Sequence, residues 1–161
     1  MIQEQYKNFA AYLERGIEAV RKTGIRVVEC RDRYVKLMLP LQGNVNHLGM
    51  MYAGSMSTLG ELSGGAVAGV SFGVTEYFPI IKELKVRYVR PALSDVTLEA
   101  AMSEETIREC REKLAVKGKA DFALEIKMMD AQGEVVAQVN GLYQVRPIPE
   151  GMVNPVVNFS G

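Results

Sequence analysis

Histidine is nearly missing from this chain: His47 is the one copy among 161 residues, and cysteine occurs twice. One imidazole and two distant thiols, Cys30 and Cys110, form no metal-binding constellation and no disulfide framework. A serine–histidine–acid triad would have to draw on His47, which reads as a loop residue. Charge of one sign is lacking too. The 19 basic and 19 acidic side chains cancel, so neither nucleic acid nor an anionic membrane is expected as the partner. A neutral balance also makes self-association easier. The first residues lack the basic-then-apolar pattern of a leader, and no apolar run is long enough to span a bilayer. Together with the cysteine usage, these absences predict a soluble, cytoplasmic protein.

What is present suits a globular chain. Hydrophobic residues make up 48% and charged residues 24%, and the length allows a full core without staples. A single domain over 1–161 is expected: a helix in 1–23, a core in 24–146 and an irregular, Pro- and Gly-rich tail in 147–161. Ile2, Tyr6, Phe9, Ala10, Leu13, Ile17 and Val20 recur at helical spacing, which predicts one amphipathic helix over 2–22. Strands are expected at Ile25–Cys30 and Tyr34–Leu39, then from about Leu84 to Tyr88, Val96 to Met102, Phe122 to Met128 and Val135 to Val145. Ser103, with Glu104 and Glu105 behind it, predicts a short capped helix to Leu114. Asp130-Ala131-Gln132-Gly133 reads as a hairpin turn. The resulting fold class is α+β.

The chain is organised around Asn44 to Gly73. Between Lys36 and Glu76 the single charged residue is Glu61, and so long a gap predicts a buried helix starting near Ala53–Ser55 and ending at Gly73. Met56, Leu59, Leu62, Ala66, Val67 and Val70 form its apolar stripe. Glu61 falls on another face with Ser57, Gly64, Gly65 and Ala68. A lone carboxylate in a buried helix is costly unless paired, hydrogen-bonded or protonated. Four glycines, Gly60, Gly64, Gly65 and Gly69, each cost roughly 1 kcal/mol against alanine, and close approach of another backbone or a ligand beside Glu61 would offset that. Two readings of Glu61 stay open: a general base or nucleophile, or a carboxyl hydrogen-bonded across an interface.

These residues resemble the hotdog-fold superfamily, most closely its PaaI-type acyl-CoA thioesterase branch. The resemblance rests on Asn46, Gly49, Tyr52-Ala53-Gly54 and then Glu61. It continues through Val86-Arg87-Tyr88-Val89-Arg90-Pro91-Ala92 and the hairpin Met129–Ala137. It implies an antiparallel sheet wrapped around a long central helix, a homodimer or dimer of dimers with sites shared between protomers, and an acyl-CoA or related thioester as substrate. No cofactor is implied beyond the coenzyme A of the substrate, and no metal. Glu61 would activate water or attack the thioester, the Ala53 amide with Gly54 would hold the oxyanion, and Asn46 would orient the reactants. Tyr52, Met51, Met56, Ser57, Arg87 and Arg90 are the substrate-binding candidates. The branch usually carries His where Tyr52 stands and Gly where Ala53 stands. Two alternatives to a thioesterase follow: a non-catalytic acyl- or CoA-binding module, and a hydratase or dehydratase.

Overall fold

The computed structural model describes residues 1–160. Six strands, β1 (Arg26–Arg31), β2 (Tyr34–Leu39), β3 (Tyr77–Tyr88), β4 (Val96–Ala101), β5 (Ala120–Met129) and β6 (Val135–Pro147), form one sheet. Their order is β1-β2-β4-β5-β6-β3, with every neighbouring pair antiparallel. The 20-residue helix α3 (Ala53–Phe72) packs against β2, β3, β4 and β6, so the sheet bends around it. The predicted stripe of α3 is buried throughout, Leu59, Ala66 and Val67 completely. Each fully buried leucine or valine contributes about 1.5–3 kcal/mol. β5 alternates strictly between buried and exposed from Ala120 to Met128, which puts Phe122, Leu124, Ile126 and Met128 on the inner face. This is the α+β arrangement the periodicities predict.

Packing explains three of the four glycines beyond the first turn of α3, Gly60, Gly64, Gly65 and Gly69. A Cβ on Gly64 would collide with the ring of Tyr143, one on Gly69 with the ring of Phe9, and one on Gly60 would come within 3.2 Å of Met128 and Val139. Core side chains, not a second backbone or a ligand, approach these three positions. Gly64 therefore belongs to the core and not to the Glu61 face. Gly65 differs: a Cβ there would meet nothing closer than Pro79 at 3.7 Å.

The N-terminal segment is not one helix. It comprises a short 3₁₀ turn (Glu4–Tyr6), α1 (Lys7–Arg15) and α2 (Glu18–Arg21). The ring of Tyr12 folds over Gly16, where a Cβ would clash, and Ile17 is extended at φ −103° and ψ 111°. α1 buries Phe9, Ala10 and Leu13. α4 (Glu104–Lys117) is capped by Ser103, whose Oγ accepts from Thr106 N–H at 3.1 Å. It runs three residues past its expected end and stops at Gly118, left-handed at φ 65°.

β3 begins at Tyr77, well before the expected Leu84, because it includes Pro79. A proline is tolerated in a strand at the sheet edge, and β3 pairs with β6 alone. The segment after β6 is irregular, as expected. It is fastened to the body where Ile148 N–H donates to Glu76 O at 2.8 Å and Asn8 Nδ2 donates to Val156 O at 2.9 Å. Phe159 also meets Tyr12 edge-on, with ring centroids 5.4 Å apart.

Candidate functional site

The site begins with the loop that leads into α3. Asn44 is buried, and its Nδ2 donates to Thr23 O at 2.6 Å and Pro40 O at 2.9 Å. Asn44 O in turn accepts from Tyr52 N–H at 2.7 Å, and Met51 N–H donates to Ala92 O at 2.9 Å. These bonds hold both ends of the loop. Inside it, Asn46 Oδ1 accepts from Leu48 N–H at 2.8 Å and Met50 N–H at 3.1 Å. The carboxamide oxygen of Asn46 is thus committed to its own turn, while among the described residues its Nδ2 has no partner. His47 is exposed on the same turn.

Tyr52 is the residue before the first turn of α3, extended at φ −68° and ψ 129°, and it offers no side-chain cap. Its carbonyl accepts from Ser55 N–H at 3.1 Å and Met56 N–H at 3.2 Å. Among the described residues the N–H groups of Ala53 and Gly54 have no partner. Two free amides at the positive end of a long helix form an anion-accepting pair. The ring of Tyr52, 56% exposed, lies against Gly54, where a Cβ would collide with it.

Glu61 is two turns further along. It is exposed in the single chain, so the expectation of a buried carboxylate is corrected. Most of α3 is buried, but the face that carries Glu61 opens outward. The protein around it is close enough that desolvation still pushes its carboxyl above the usual carboxylate range. Glu61 lines an apolar cavity of about 240 Å³.

Gly54 and Glu61 share a helix face, because seven residues make nearly two whole turns. They are separated by about 10 Å along the axis at 1.5 Å per residue. One chain therefore does not bring the free amides and the carboxylate to the same reacting carbonyl. Ser57 lies between them, its Oγ 2.7 Å from the hydroxyl of Tyr88, which donates to Ala53 O at 2.9 Å. Tyr88 is a residue that sequence reasoning treats as strand packing. Nothing in its alternation signals that it pins the start of the helix to the end of β3.

The remaining candidates lie apart from Glu61. Met51 and Met56 are buried and line, with Ala53, Tyr88 and Arg90, a groove of about 320 Å³ at the start of α3. Arg90 pairs with Glu134 at 3.0 Å on the surface. Arg87 is exposed on β3 and makes no ion pair among the described residues. The pattern G-x-S-x-G, expected to be absent, occurs once, at Gly69-Val70-Ser71-Phe72-Gly73. It forms the last turn of α3 and not a strand-to-helix elbow. Ser71 Oγ is buried there without a hydrogen bond. Among the described residues no three His, Cys, Asp or Glu side chains gather as a metal site, and no helix is long and apolar enough to cross a membrane.

The fold is that of the hotdog thioesterases, a bent antiparallel sheet around one long helix. The chain belongs to the family described as "Putative thioesterase (yiiD_Cterm)", which matches residues 6–147. A Pseudomonas aeruginosa protein, PA5026, described as a "Probable Thioesterase", is similar at 39% identity and a TM-score of 0.84, over 92% of this chain and 99% of that one. A "putative thioesterase" of Shewanella oneidensis is similar at 20% identity and a TM-score of 0.72, over 91% and 100%. A variant of the Pseudomonas aeruginosa thioesterase PA1618 is similar at 14% identity and a TM-score of 0.69, over 91% and 96%. At these last two identities the likeness is one of fold. Among curated proteins, none matches the chain.

Proposed function

We propose that the protein hydrolyses acyl-CoA or a related thioester, with Glu61 as the acid–base residue. The observation that carries this is the position of Glu61: a carboxyl of raised pKa lining an apolar cavity, on the helix face that also presents the free amides of Ala53 and Gly54. An apolar cavity beside a carboxylate suits an acyl group whose carbonyl stays at the rim. The separation of Glu61 from those amides within one chain requires two chains per site. β3 supplies a means, since it is a 12-residue edge strand with one side unpaired, and pairing β3 with its copy would remove that exposed edge. A homodimer, alone or as half of a dimer of dimers, would then set Glu61 of one chain against the helix start of the other.

In this arrangement ionised Glu61 takes a proton from water as the oxygen attacks the thioester carbon. The carbonyl oxygen becomes an oxyanion facing the amides of Ala53 and Gly54, and Asn46 orients the reactants through its free Nδ2. Collapse breaks the C–S bond, the thiolate takes the proton from Glu61, and a carboxylic acid is released. No group beyond the substrate's own coenzyme A is needed for this balance. A direct attack by Glu61, through an anhydride that water then cleaves, uses the same residues.

One observation favours a second reading, a module that binds acyl-CoA without cleaving it. The Tyr52 ring covers Gly54 at the position where the PaaI-type branch carries histidine. Hydrolysis of acyl-CoAs by the wild type and Glu61→Gln decides between them. Turnover that Glu61→Gln loses supports the enzyme, and tight binding with no turnover in either supports the module.

A further inference from the structure

The cavity at Glu61 does not lie where the methionine-rich candidates line a groove. It runs along α3 toward Phe72 and Gly73, and much of its wall comes from the two ends of the chain. Phe9 and Leu13 of α1 close one side, Pro79 and Val145 of the sheet another, and Val156 of the tail a third. The tail is held in that place by Asn8 Nδ2, which donates to Val156 O at 2.9 Å, and by the Tyr12–Phe159 ring contact. Asn154, the one amide in the lining, spends its Oδ1 on Val156 N–H at 3.1 Å. Among the described residues no lysine or arginine lines the cavity, and Glu61 is its one charged residue.

Gly65 supplies the second observation. It sits one turn beyond Glu61 and lines the cavity. Unlike Gly54, Gly60, Gly64 and Gly69, the other glycines of α3, it has no side chain closer than 3.7 Å to a Cβ placed there among the described residues. Alanine would fit there and would favour the helix by roughly 1 kcal/mol, so packing within the chain does not explain the glycine. Space for a ligand beside Glu61 does.

We infer that this cavity takes the uncharged, apolar tail of a linear acyl chain, and that α1 and the C-terminal tail set how long that chain can be. The inference rests on the thioester reading for the identity of the head group. A cavity of about 240 Å³ is finite, so a growing chain gains apolar contact only until it is filled. An acyl group that ends in a carboxylate finds no cation in this lining among the described residues.

The test measures two things on the full-length protein, Gly65→Ala, Gly65→Leu and Val156→Ala. One is kcat/KM for straight-chain acyl-CoAs from two to sixteen carbons. The other is equilibrium binding of S-alkyl-CoA thioethers of the same lengths, which cannot be hydrolysed. In the wild type, thioether affinity should rise about three- to fourfold per methylene and level off within the series, once the chain fills the cavity. Gly65→Leu should bring the plateau forward by about three carbons, Gly65→Ala by about one, and Val156→Ala should extend it. Identical chain-length profiles in the wild type and all three variants would overturn the inference, even with acyl-CoA turnover intact. Loss of the dimer in Gly65→Leu with an unshifted profile would overturn it too, making Gly65 an interface residue. Chain-length-dependent thioether binding that Gly65→Leu shortens, with no hydrolysis of any acyl-CoA, would uphold the cavity and sink the thioesterase reading.

Discussion

Gly54 and Glu61 occupy the same face of α3 and stand about 10 Å apart along its axis, so the free amide of one and the carboxylate of the other cannot meet at one carbonyl within a chain. This makes the shared site testable by mixing. Ala53→Pro removes one proposed oxyanion donor, and proline is well accepted at the first helical position. Tyr52 already has the extended backbone that a following proline requires. The variant should keep its thermal stability within about a degree or two and lose 10²–10³-fold in kcat, the usual effect of deleting such a donor. Refolding Ala53→Pro together with Glu61→Gln should then restore activity, because each hybrid dimer contains one site with both wild-type elements. Absence of recovery in verified hybrids would refute a site shared in this way.

Neighbouring glycines should respond in opposite directions. Gly64→Ala drives a methyl into the buried ring of Tyr143 and should lower stability by about 1–3 kcal/mol. Gly65→Ala meets only ordinary contact with Pro79 and should raise it by up to about 1 kcal/mol. Urea denaturation of both variants reads the difference.

Asn44 should matter to the site without touching substrate. Its buried amide holds Thr23 O and Pro40 O, and Asn44→Ala leaves those acceptors without it. A loss of about 1–3 kcal/mol is expected, together with faster hydrogen exchange at Tyr52 N–H, which Asn44 O accepts. Exchange measured residue by residue checks this.

The raised pKa of Glu61 has a definite sign in stability. In the window between its ordinary and its raised value the folded chain holds the proton more tightly than the unfolded chain. Folding stability attributable to Glu61 therefore falls as pH rises through that window and stays lower above it. Glu61→Gln should be more stable than the wild type at pH 7, and the gap should close at pH values below the ordinary carboxylate range. Thermal melts of both proteins at pH 4 and pH 7 test it. The acidic limb of kcat/KM in the wild type should likewise lie above the ordinary carboxylate range, since the base must be ionised.

Much of this architecture was legible because its signals are local. Glu61 stood out as the one charge between Lys36 and Glu76, and the alternation of Phe122, Leu124, Ile126 and Met128 marked the inner face of β5. Ser103 announced the start of α4. The misreadings have local causes too. Gly16 lies in phase with the helix around it, so the fold of Tyr12 over it could not be read from periodicity. Tyr77 to Ile81 do not alternate and contain Pro79, which hid the first half of β3. The cavity wall was out of reach for another reason: Phe9, Gly65 and Val156 meet only through the tertiary fold. Gly60, Gly64, Gly65 and Gly69 look alike in sequence, and only the side chain opposite each one separates the three that packing needs from Gly65.

The most direct measurement is hydrolysis of a panel of acyl-CoAs by the wild type and Glu61→Gln, each confirmed folded and in the same assembly state. The account predicts turnover by the wild type and a loss of 10²-fold or more in kcat for Glu61→Gln, with binding of a thioether analogue retained. Equal turnover by the two proteins would contradict it, because the carboxylate would then have no part in the chemistry.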